Sequence, residues 1–453
     1  MHRTLIQNGT IIPMDGKSRM MENKAVLIED NQIAAIGSPE TLKKKYDIDQ
    51  TIDASGQIVM PGFVNAHTHI GWSSLCRGIS EDISMEDYMF KLAIPLQEYV
   101  LTEEDIHSFS RLSCLEMLKC GNTCLNELGV FMDGTALAIE ESGIRGVLGQ
   151  DITDIDWQSF NETFTINYDS KLKDQKLKEA IQIYDKWHGK DNGRITCRFA
   201  NDIPMFCSPQ ALAETKLLAK ERGIGVNVHA NTEKTEIEYF KNTYQKSVIE
   251  YFADTGYLDE NTSLIHMIHT NDREIDIVKE YGAHIIHCPL NLGKTADCAP
   301  LGKMYAADLN IALGSDWVMN DPFEQMRFAI VLARINSGNA LLKKAYDFLE
   351  MFTIKAAKAL GLDDKTGSIE TGKRADIILV DFDQPHIVPM NQHYDPVTNL
   401  VYNAHGSDVT TVIVDGKILV EKCQSTTLDE KQVIKEANIR SAKVLNKLKS
   451  LKN

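Results

Sequence analysis

Both ends of the chain contain short runs in which apolar and polar residues alternate. Residues 1–60 include TLIQNGTII, AVLIEDNQIAAIG and QTIDASGQIVM, separated by turn-forming residues such as DNQ and SG. The same alternation of apolar and polar residues occurs near the C-terminus in ADIILVDFD and DVTTVIVDGKILVEK. Alternation with a period of two is typical of strands with one buried face. We therefore predict a small β-sandwich built from residues 1–60 and 365–425, followed by an amphipathic helix over 426–453.

The middle of the chain has a different pattern, in which apolar runs of strand length alternate with longer helical patterns. Repeated βα units of this kind form parallel sheets, and eight of them close into a barrel. The sequence therefore predicts an α/β fold, a (β/α)8 TIM-like barrel over residues 61–364. The eight runs are IVMPGFVNAH, NTCLNEL, RGVLGQDI, ITCRFAND, GVNVHANT, SLIHMIH, AHIIHCP and NIALGSDW.

Polar residues close these eight runs. Catalytic groups in such barrels lie at the C-terminal ends of the strands. A single histidine there is usually a core or surface residue, but histidines and carboxylates at several strand ends together favour a shared site. The residues in question are His67, His69, Asn126, Glu127, Asp151, Asp202, His229, His266, His287 and Asp316.

A metal site is the first chemistry that these positions predict. His67 and His69 are two residues apart on a strand, so their imidazoles face the same side and can bind one ion. His229 and Asp316 close two further runs. Three imidazoles and a carboxylate suit Zn²⁺ best, and Fe²⁺ or Mn²⁺ would also accept them. Because no thiolate is among the ligands, a catalytic site with a bound water is favoured over a closed structural one.

Hydrolysis is the reaction that such an ion supports. It lowers the pKa of its water towards roughly 7, and the resulting hydroxide attacks an electron-poor carbon. Asp316 can contact the ion and accept the proton of the water. His266, which ends the sixth run, is placed to orient the hydroxide or polarise the substrate. The alternative for His266 is a histidine of the core.

Composition and charge narrow the partners. The formal net charge is −16, from 48 Lys and Arg against 64 Asp and Glu, which disfavours nucleic acid and anionic membranes. No apolar run has the roughly 20 residues of a membrane helix, and the beginning of the chain does not resemble a signal peptide. Nine cysteines without CxxC pairs fit reduced thiols. We therefore expect a cytoplasmic protein that acts on a small molecule.

Several segments resemble the amidohydrolase superfamily over nearly the whole chain. PGFVNAHTH is similar to the metal motif of the first barrel strand, and ALGSDW to the aspartate motif of the eighth. LIHMIHTNDREI and HIIHCPLN are similar to the sixth and seventh strands, and GSIETGKRADIILVD to the return into a flanking β-sandwich. The resemblance is closest to the branch of 5-methylthioadenosine/S-adenosylhomocysteine deaminases, guanine deaminases and triazine hydrolases.

This resemblance implies roles for individual residues. It makes His67, His69, His229 and Asp316 the metal ligands, and His266 the histidine beside them. PLQEYVLTEED is similar to a family segment whose Glu, here Glu98, binds a ribose or another polar part of the substrate. An ordinary carboxylate at the start of a helix is the alternative for Glu98. The habit of the family also implies a homo-oligomer, a dimer or larger.

One departure from the family concerns the proton shuttle. Family members usually carry a Glu three residues after the histidine of the fifth strand, and Thr232 stands there in this chain. A threonine hydroxyl can orient water but does not titrate near neutral pH. Glu233 could take over the shuttle, or it could be a solvent-facing residue at the start of the next helix.

Two further departures concern the substrate. Asp202 stands where nucleoside-type relatives often have a substrate-binding His, and a carboxylate favours N–H donors or positive charge. Trp317 follows the metal aspartate, where it could stack on a flat heterocycle or belong to the core.

The sequence therefore predicts a metal-dependent aminohydrolase that deaminates a small amino-substituted heterocycle or nucleoside-like compound. An alternative within enzymes is hydrolysis of an alkylamine, halide or amide leaving group on a triazine-like ring. The second alternative is a metal-binding scaffold with impaired catalysis, because Thr232 replaces the usual shuttle.

Overall fold

A ring of parallel strands occupies the middle of the chain in the computed structural model, which describes residues 1–163 and 165–451. Neighbouring strands pair in parallel around the ring. This arrangement confirms the predicted α/β barrel. The barrel strands one to eight are Phe63–Thr68, Asn122–Gly129, Arg145–Gln150, the two segments Ile195–Cys197 and Phe199–Asn201, Val226–Ala230, Thr262–His266, His284–His287 and Ile311–Leu313.

The barrel closes between strand one and strand eight. Thr68 and Asp316 form a parallel bridge there. The amide N–H of Asp316 donates to the carbonyl of His67 over 3.0 Å, and the N–H of His69 donates to the carbonyl of Asp316 over 3.3 Å. The seam of the barrel therefore runs through the backbone of three predicted metal ligands.

Strand four is interrupted at Arg198. Its first segment pairs with strand three and its second with strand five. A bridge between Asp151 and Ala200 still holds strands three and four together beyond the interruption. The ring is therefore continuous at the end where the predicted site lies.

Helices connect the strands and cover the outside of the barrel. Gly143, Gly223 and Gly282 end three of them in the left-handed region, which a residue without a Cβ adopts without strain. The helices within and directly after the barrel are Ser73–Cys76, Met85–Tyr88, the π-helical Met89–Ala93 and Leu96–Val100, Glu103–Lys119, Met132–Ser142, Trp157–Thr163, Ser170–Trp187, Lys190–Gly193, Pro204–Phe206 (3₁₀), Pro209–Arg222, Lys234–Tyr244, Val248–Asp254, Asp272–Tyr281, Pro289–Lys294, Leu301–Ala306, Pro322–Ser337, Ala345–Met351 and Ile354–Ala359.

Two further sheets are built from both ends of the chain. One has the order Gln32–Gly37, Ala25–Glu29, Arg3–Gln7, Gln50–Asp53, and the other the order Gln424–Ser425, Lys417–Glu421, Val409–Val414, Ile377–Asp381, Gln57–Pro61, Thr10–Ile11. Ile6 and Val26 of the first sheet share one buried cluster with Val59, Ile377 and Ile413 of the second. Helices Pro39–Lys45 and Pro396–Asn403 and the 3₁₀ turn Gly406–Asp408 accompany these sheets.

The C-terminal helix Glu430–Ser450 lies against helix Glu103–Lys119, where Arg440 pairs with Asp105 over 3.0 Å. Residues 452 and 453, which belong to the predicted segment 426–453, lie outside the described residues. The predicted domain boundaries at 60, 364 and 425 stay a prediction. Within the described part of the chain, every helix is too short or too polar to span a bilayer.

A polar chain runs through the barrel interior towards the first metal strand. The Arg198 guanidinium donates to Asn227 over 3.0 Å, Asn227 donates to Asn126 over 3.0 Å, and Asn126 donates to the carbonyl of Ala66 over 2.7 Å. Buried polar groups are stable only when they are hydrogen-bonded, and these satisfy one another. The chain ends one residue before His67, so it supports the backbone that carries this histidine.

A buried ion pair ties the barrel to the second sheet. Arg145, at the start of strand three, donates to both carboxylate oxygens of Asp376 over 2.7 and 3.0 Å, and both side chains are almost fully buried. Asp415 lies 3.4 Å from the same guanidinium. Removing one partner of such a pair leaves an uncompensated buried charge.

We expect Arg145→Met to lower the free energy of unfolding by about 3–5 kcal/mol, because Asp376 would lose its counterion. Urea unfolding measures this change. Replacing both partners with apolar residues, in Arg145→Met/Asp376→Leu, should restore part of the loss. Lys303→Ala is the control, because Lys303 and Asp272 form an exposed pair, and its effect should stay below about 1 kcal/mol. If Arg145→Met lowered the free energy of unfolding as little as the control does, the pair with Asp376 would not stabilise the fold as we expect.

Candidate metal centre and active site

Four predicted ligands converge at the C-terminal end of the barrel. The Nε2 atoms of His67 and His229 are 3.3 Å apart, and Asp316 Oδ1 lies 3.5 Å from His67 Nε2 and 3.3 Å from His69 Nε2. Ligands at tetrahedral positions around a zinc ion are about 3.4 Å apart when their bonds are about 2.1 Å long. These three distances match the spacing of ligands around one ion, and the ligand atoms of His67, His69 and His229 all lie within 4.8 Å of one another, as do those of His67, His266 and Asp316.

An unsatisfied oxygen supports the same interpretation. Asp316 Oδ1 is buried and has no hydrogen-bond partner among the described residues, although it faces two histidine nitrogens. A buried carboxylate oxygen without a partner is costly, and a cation would satisfy it. The donor set thus fits a divalent ion by chemistry as well as by spacing.

Burial keeps the imidazoles available as ligands. It lowers the pKa of His67 well below its usual value and that of His69 to about 3, and the neighbouring histidines add to both shifts. Neutral imidazoles offer the lone pair that a metal needs. We therefore expect the imidazoles of His67 and His69 to be neutral at neutral pH.

Hydrogen bonds orient two of the rings. His69 donates from Nδ1 to the carbonyl of Leu128 over 2.7 Å, and His229 Nδ1 lies 2.7 Å from Asp202 Oδ1. Burial alone would lower the pKa of His229, but the Asp202 carboxylate outweighs it and raises this pKa. A proton held on Nδ1 leaves Nε2 free for the ion, as in other carboxylate–histidine–metal arrangements.

The backbone is strained at two strand ends of the site. His266 and Asp316 have φ angles of 76° and 58°, a region that residues with a Cβ seldom adopt. Such strain persists only where surrounding contacts enforce it, and it concentrates at functional sites. The Asn291 amide donates to Asp316 Oδ2, and His266 Nε2 lies 3.5 Å from the same oxygen. The fixed backbone thus aims His266 at the carboxylate of the cluster.

Glu127, at the end of strand two, holds the loop that follows the two histidines of strand one. Its carboxylate accepts hydrogen bonds from the Thr68 hydroxyl over 2.7 Å and from the N–H of Ile70 over 2.8 Å. Burial raises the pKa of Glu127 to about 8, although these hydrogen bonds work in the opposite direction. The strand-end pattern picked out this residue, but only the contacts reveal its structural task.

Aromatic side chains form one wall of the pocket above the cluster. Trp72 stacks on His69 with a centroid distance of 4.7 Å, and Tyr88 stacks on Trp317 at 3.6 Å. The Trp72 indole N–H donates to the Tyr88 hydroxyl over 3.3 Å. Sequence reasoning missed Trp72 and Tyr88, because both lie in the irregular connection after strand one. The position of Trp72, three residues after His69, is the one signal that could have pointed to it.

Thr232 and Glu233 both line this pocket. The Thr232 hydroxyl oxygen is buried and has no partner among the described residues, while the Thr232 N–H donates to the buried Glu236 carboxylate over 2.8 Å. Glu233 is half-buried, and burial, with Asp297 and Glu86 adding, raises its pKa to about 7. Thr232, at the usual shuttle position, and Glu233, the predicted replacement, therefore both lie at the pocket.

Some of the predicted substrate residues line the pocket and one does not. Asp202 and Trp317 line the pocket, but the nearest contact of Asp202 is with His229. Glu98 is exposed as a residue, yet burial and then Asp202 raise the pKa of its carboxyl, and its neighbour Gln97 lines the pocket. Asp151, for which the sequence suggested no role beyond closing a strand, lies in the pocket wall. The roles predicted for these residues stay predictions.

Known proteins resemble this chain over its whole length. A model of the amidohydrolase family matches residues 58–419. The chain is 34% identical to the 5-methylthioadenosine/S-adenosylhomocysteine deaminase of Thermoanaerobacter pseudethanolicus, covering 98% of this chain and 99% of that protein. It is 33% identical to the 5'-deoxyadenosine deaminase of Methanosarcina mazei, with 98% and 99% covered. The structure of an adenosine deaminase from Xanthomonas campestris with bound zinc superimposes with a TM-score of 0.89 at 26% identity, and 98% of each chain is covered.

We expect Asp316→Ala to lose its ion during dialysis against a chelator that leaves the wild type loaded, because the variant lacks the only carboxylate of the ligand set. Asp202→Asn keeps all four ligands but weakens the orientation of His229, so metal affinity should fall roughly 10–100-fold. Metal content by plasma emission spectroscopy measures both. His107→Ala, at a half-buried histidine on helix Glu103–Lys119 outside the metal cluster, should behave as the wild type. Full metal content in dialysed Asp316→Ala would remove this residue from the ligand set.

Proposed function

The chain belongs to the amidohydrolase family, and we propose that within it the protein is a metal-dependent deaminase of adenine nucleoside-like compounds. Water replaces the exocyclic amino group of the ring in this reaction, and ammonia leaves. The convergence of four metal-binding side chains with a titratable Glu233 in one pocket carries the proposal. The activities named for the two curated relatives support the choice of an adenine ring.

A divalent ion held by His67, His69, His229 and Asp316 would acidify a water to a pKa of roughly 7 and so supply a nucleophile at neutral pH. Zinc is the ion we propose, because it suits this donor set and occupies the structurally similar deaminase. The remaining chemistry falls to the side chains around it.

His266 and Asp316 orient the attacking water. Burial lowers the pKa of His266 well below its usual value, so its imidazole is neutral at the pH of the reaction. It can hydrogen-bond the nucleophile or the ring without carrying a competing charge. The strained backbone of both residues fixes these groups before the substrate arrives, which is the condition for efficient electrostatic catalysis.

Glu233 is our candidate for moving the proton. A general base works best when its pKa is near the operating pH, and the pKa of Glu233 is raised to about 7. In the proposed reaction its carboxylate takes a proton from water and delivers it to a ring nitrogen. The Thr232 hydroxyl, which cannot titrate there, would orient the water or the substrate.

The aromatic wall suits a flat ring. Trp72, Tyr88 and Trp317 are nearly buried and line the pocket close to the metal cluster. Edge-to-face or offset contact with aromatic side chains favours a planar heterocycle by about 0.5–1.5 kcal/mol for each contact beyond simple burial. This wall supports the choice of an aromatic amine as substrate.

We further propose that the protein works in the cytoplasm as a homo-oligomer. The nine cysteines are unpaired, as expected in a reducing compartment. Phe328, Val331 and Ile335 are exposed on one face of helix Pro322–Ser337, a pattern common at subunit contacts.

We expect the zinc-loaded protein to release ammonia from adenosine or 5'-deoxyadenosine and to stop doing so after the metal is removed. The reaction converts the adenine ring to hypoxanthine, so absorbance and ammonia should change in equal amounts. Added Zn²⁺ should restore the rate. No ammonia from a panel of purine, pyrimidine and pterin amines at full metal occupancy would rule out the deaminase proposal.

We expect Glu233→Gln to slow turnover roughly 100-fold, because the amide cannot accept the proton. Since Glu233 must be ionised to act as a base, the wild-type rate should fall as the pH drops below about 7. The pH profile of kcat in the variant should lack this acidic limb. Thr232→Val is the matched comparison and should lose less than about tenfold. A near-native kcat and an unchanged pH profile in Glu233→Gln would contradict this role. The fall in rate at low pH would then be due to protonation of the attacking water.

A further inference from the structure

The pocket above the metal cluster is rich in carboxylates and poor in cations. Asp151, Asp202, Glu233 and Asp316 line it, and none of its lining residues within the described part of the chain is Lys or Arg. Lys294 lies close by, but its ammonium is 3.8 Å from the centre of the Trp317 ring. One divalent ion would offset about half of the charge of four ionised carboxylates. An anionic substrate group would therefore meet repulsion across much of this surface.

Two of these carboxylates are already engaged. Asp316 belongs to the metal cluster, and Asp202 lies 2.7 Å from His229. Asp151 differs from both, because its carboxylate accepts one hydrogen bond among the described residues, from the neutral Thr153 hydroxyl over 2.8 Å. Its side chain belongs to a residue that is only 7% exposed. Asp151 is thus a nearly buried carboxylate that a ligand can reach from the pocket.

The surroundings of Asp151 disfavour its negative charge. Burial and the neighbouring Asp202 raise the pKa of Asp151 to about 7, in spite of a lowering effect of Lys176. A positive charge close to a carboxylate acts in the opposite direction and stabilises the ionised form. A cationic ligand would therefore remove an unfavourable interaction and add an attractive one.

Two buried polar atoms that line the same pocket lack a hydrogen-bond partner among the described residues. The Thr232 hydroxyl oxygen and Asn291 Oδ1 are buried, line the pocket and have no hydrogen-bond partner among the described residues. Both oxygens accept hydrogen bonds from N–H groups. Buried polar atoms of this kind are normally satisfied, so these two oxygens are available to hydrogen-bond donors of a ligand.

The order of the strands separates this acidic region from the reacting centre. Asp151 follows strand three and Asp202 follows strand four, whereas Asp316 follows strand eight. Strands four and eight lie on opposite sides of an eight-stranded ring. A substrate whose amino-bearing carbon lies beside Asp316 therefore extends its other end towards Asp151.

We propose that the substrate carries a cationic amine on the side remote from the reacting ring carbon and that this amine binds Asp151. The inference rests on the proposed deaminase function and specifies its substrate class. Asp151 is then the residue that selects charge, while the aromatic wall holds the ring. Neutral nucleosides would still fit the wall but would bring no positive charge to the Asp151 carboxylate.

The test compares three nucleosides that differ at one position: 5'-amino-5'-deoxyadenosine, 5'-deoxyadenosine and adenosine 5'-carboxylate. Calorimetry on the zinc-loaded protein gives Kd for each, and ammonia release gives kcat/KM separately. We expect the amine to bind about tenfold or more tightly than the neutral compound, and the carboxylate to bind most weakly. In Asp151→Asn this preference should shrink to less than about threefold. Asp272→Asn, at an exposed carboxylate, is the control and should keep the wild-type ratio.

The outcomes separate this inference from the proposed function. Ammonia release with equal Kd values for the amine and the neutral compound would overturn the inference and leave the deaminase proposal intact. Charge-selective binding without ammonia from any compound would support the Asp151 site and overturn the deaminase proposal. A preference that survives in Asp151→Asn would also overturn the inference, because another group would then select the charge. No binding of any of the three nucleosides would overturn both.

Discussion

The closure of the barrel between strands one and eight is the constraint on which the site depends. The hydrogen bonds of this seam run between the backbones of His67, His69 and Asp316, so the contacts that close the ring also set the separation of three predicted ligands. The fourth predicted ligand, His229, reaches the cluster from strand five on the far side of the ring. One ion bound by all four side chains would therefore connect the seam to the opposite wall. In this arrangement the fold and the metal site stabilise each other.

Several buried carboxyl groups support this arrangement from outside the metal cluster. Glu127 fixes the loop after strand one, and Glu236 fixes the loop after strand five through the Thr232 N–H. Each carboxylate accepts hydrogen bonds from loop amides, which would otherwise be unsatisfied beneath the pocket. Asp202 plays a comparable part for a side chain, because it holds the ring of His229. The catalytic end of the barrel is thus positioned by a set of acids that lies just outside the metal ligands.

Much of the fold could be predicted from the sequence because its signals are local. The apolar runs predicted the barrel strands, and the two-residue spacing of His67 and His69 predicted that both would face one ion. The interruption of strand four at Arg198 could not be predicted, because it depends on contacts of that side chain with strand five and the loop before strand six. Trp72 and Tyr88 were missed for a similar reason. Both residues lie in the connection that follows strand one. This connection lacks a regular spacing of apolar residues from which their positions could be predicted.

The roles of the predicted substrate residues could not be predicted from local sequence patterns. The sequence identified Asp202 as a carboxylate at a strand end, yet its contact with His229 depends on the approach of two different strands. Glu98 and Gln97 are neighbours in a π-helical turn, and the direction of that turn decides which of them lines the pocket. The buried residues Leu92, Leu96 and Val100 show which face of this segment packs inward, but their spacing does not show whether Gln97 or Glu98 lines the pocket.

Gly62 gives the small sheets an influence on the metal site. Strand Gln57–Pro61 belongs to the second sheet, barrel strand one begins at Phe63, and Gly62 is the single residue between them. A Cβ at Gly62 would lie 2.0 Å from the Thr123 side chain, so the two strands are joined with no room for adjustment. The pairing of Pro61 with Ile377 therefore fixes which residues of strand one face the barrel axis. Inserting or deleting one residue here would turn both histidines of strand one to the opposite side of the strand. The register of the flanking sheet therefore determines the direction in which His67 and His69, the first two predicted ligands, point.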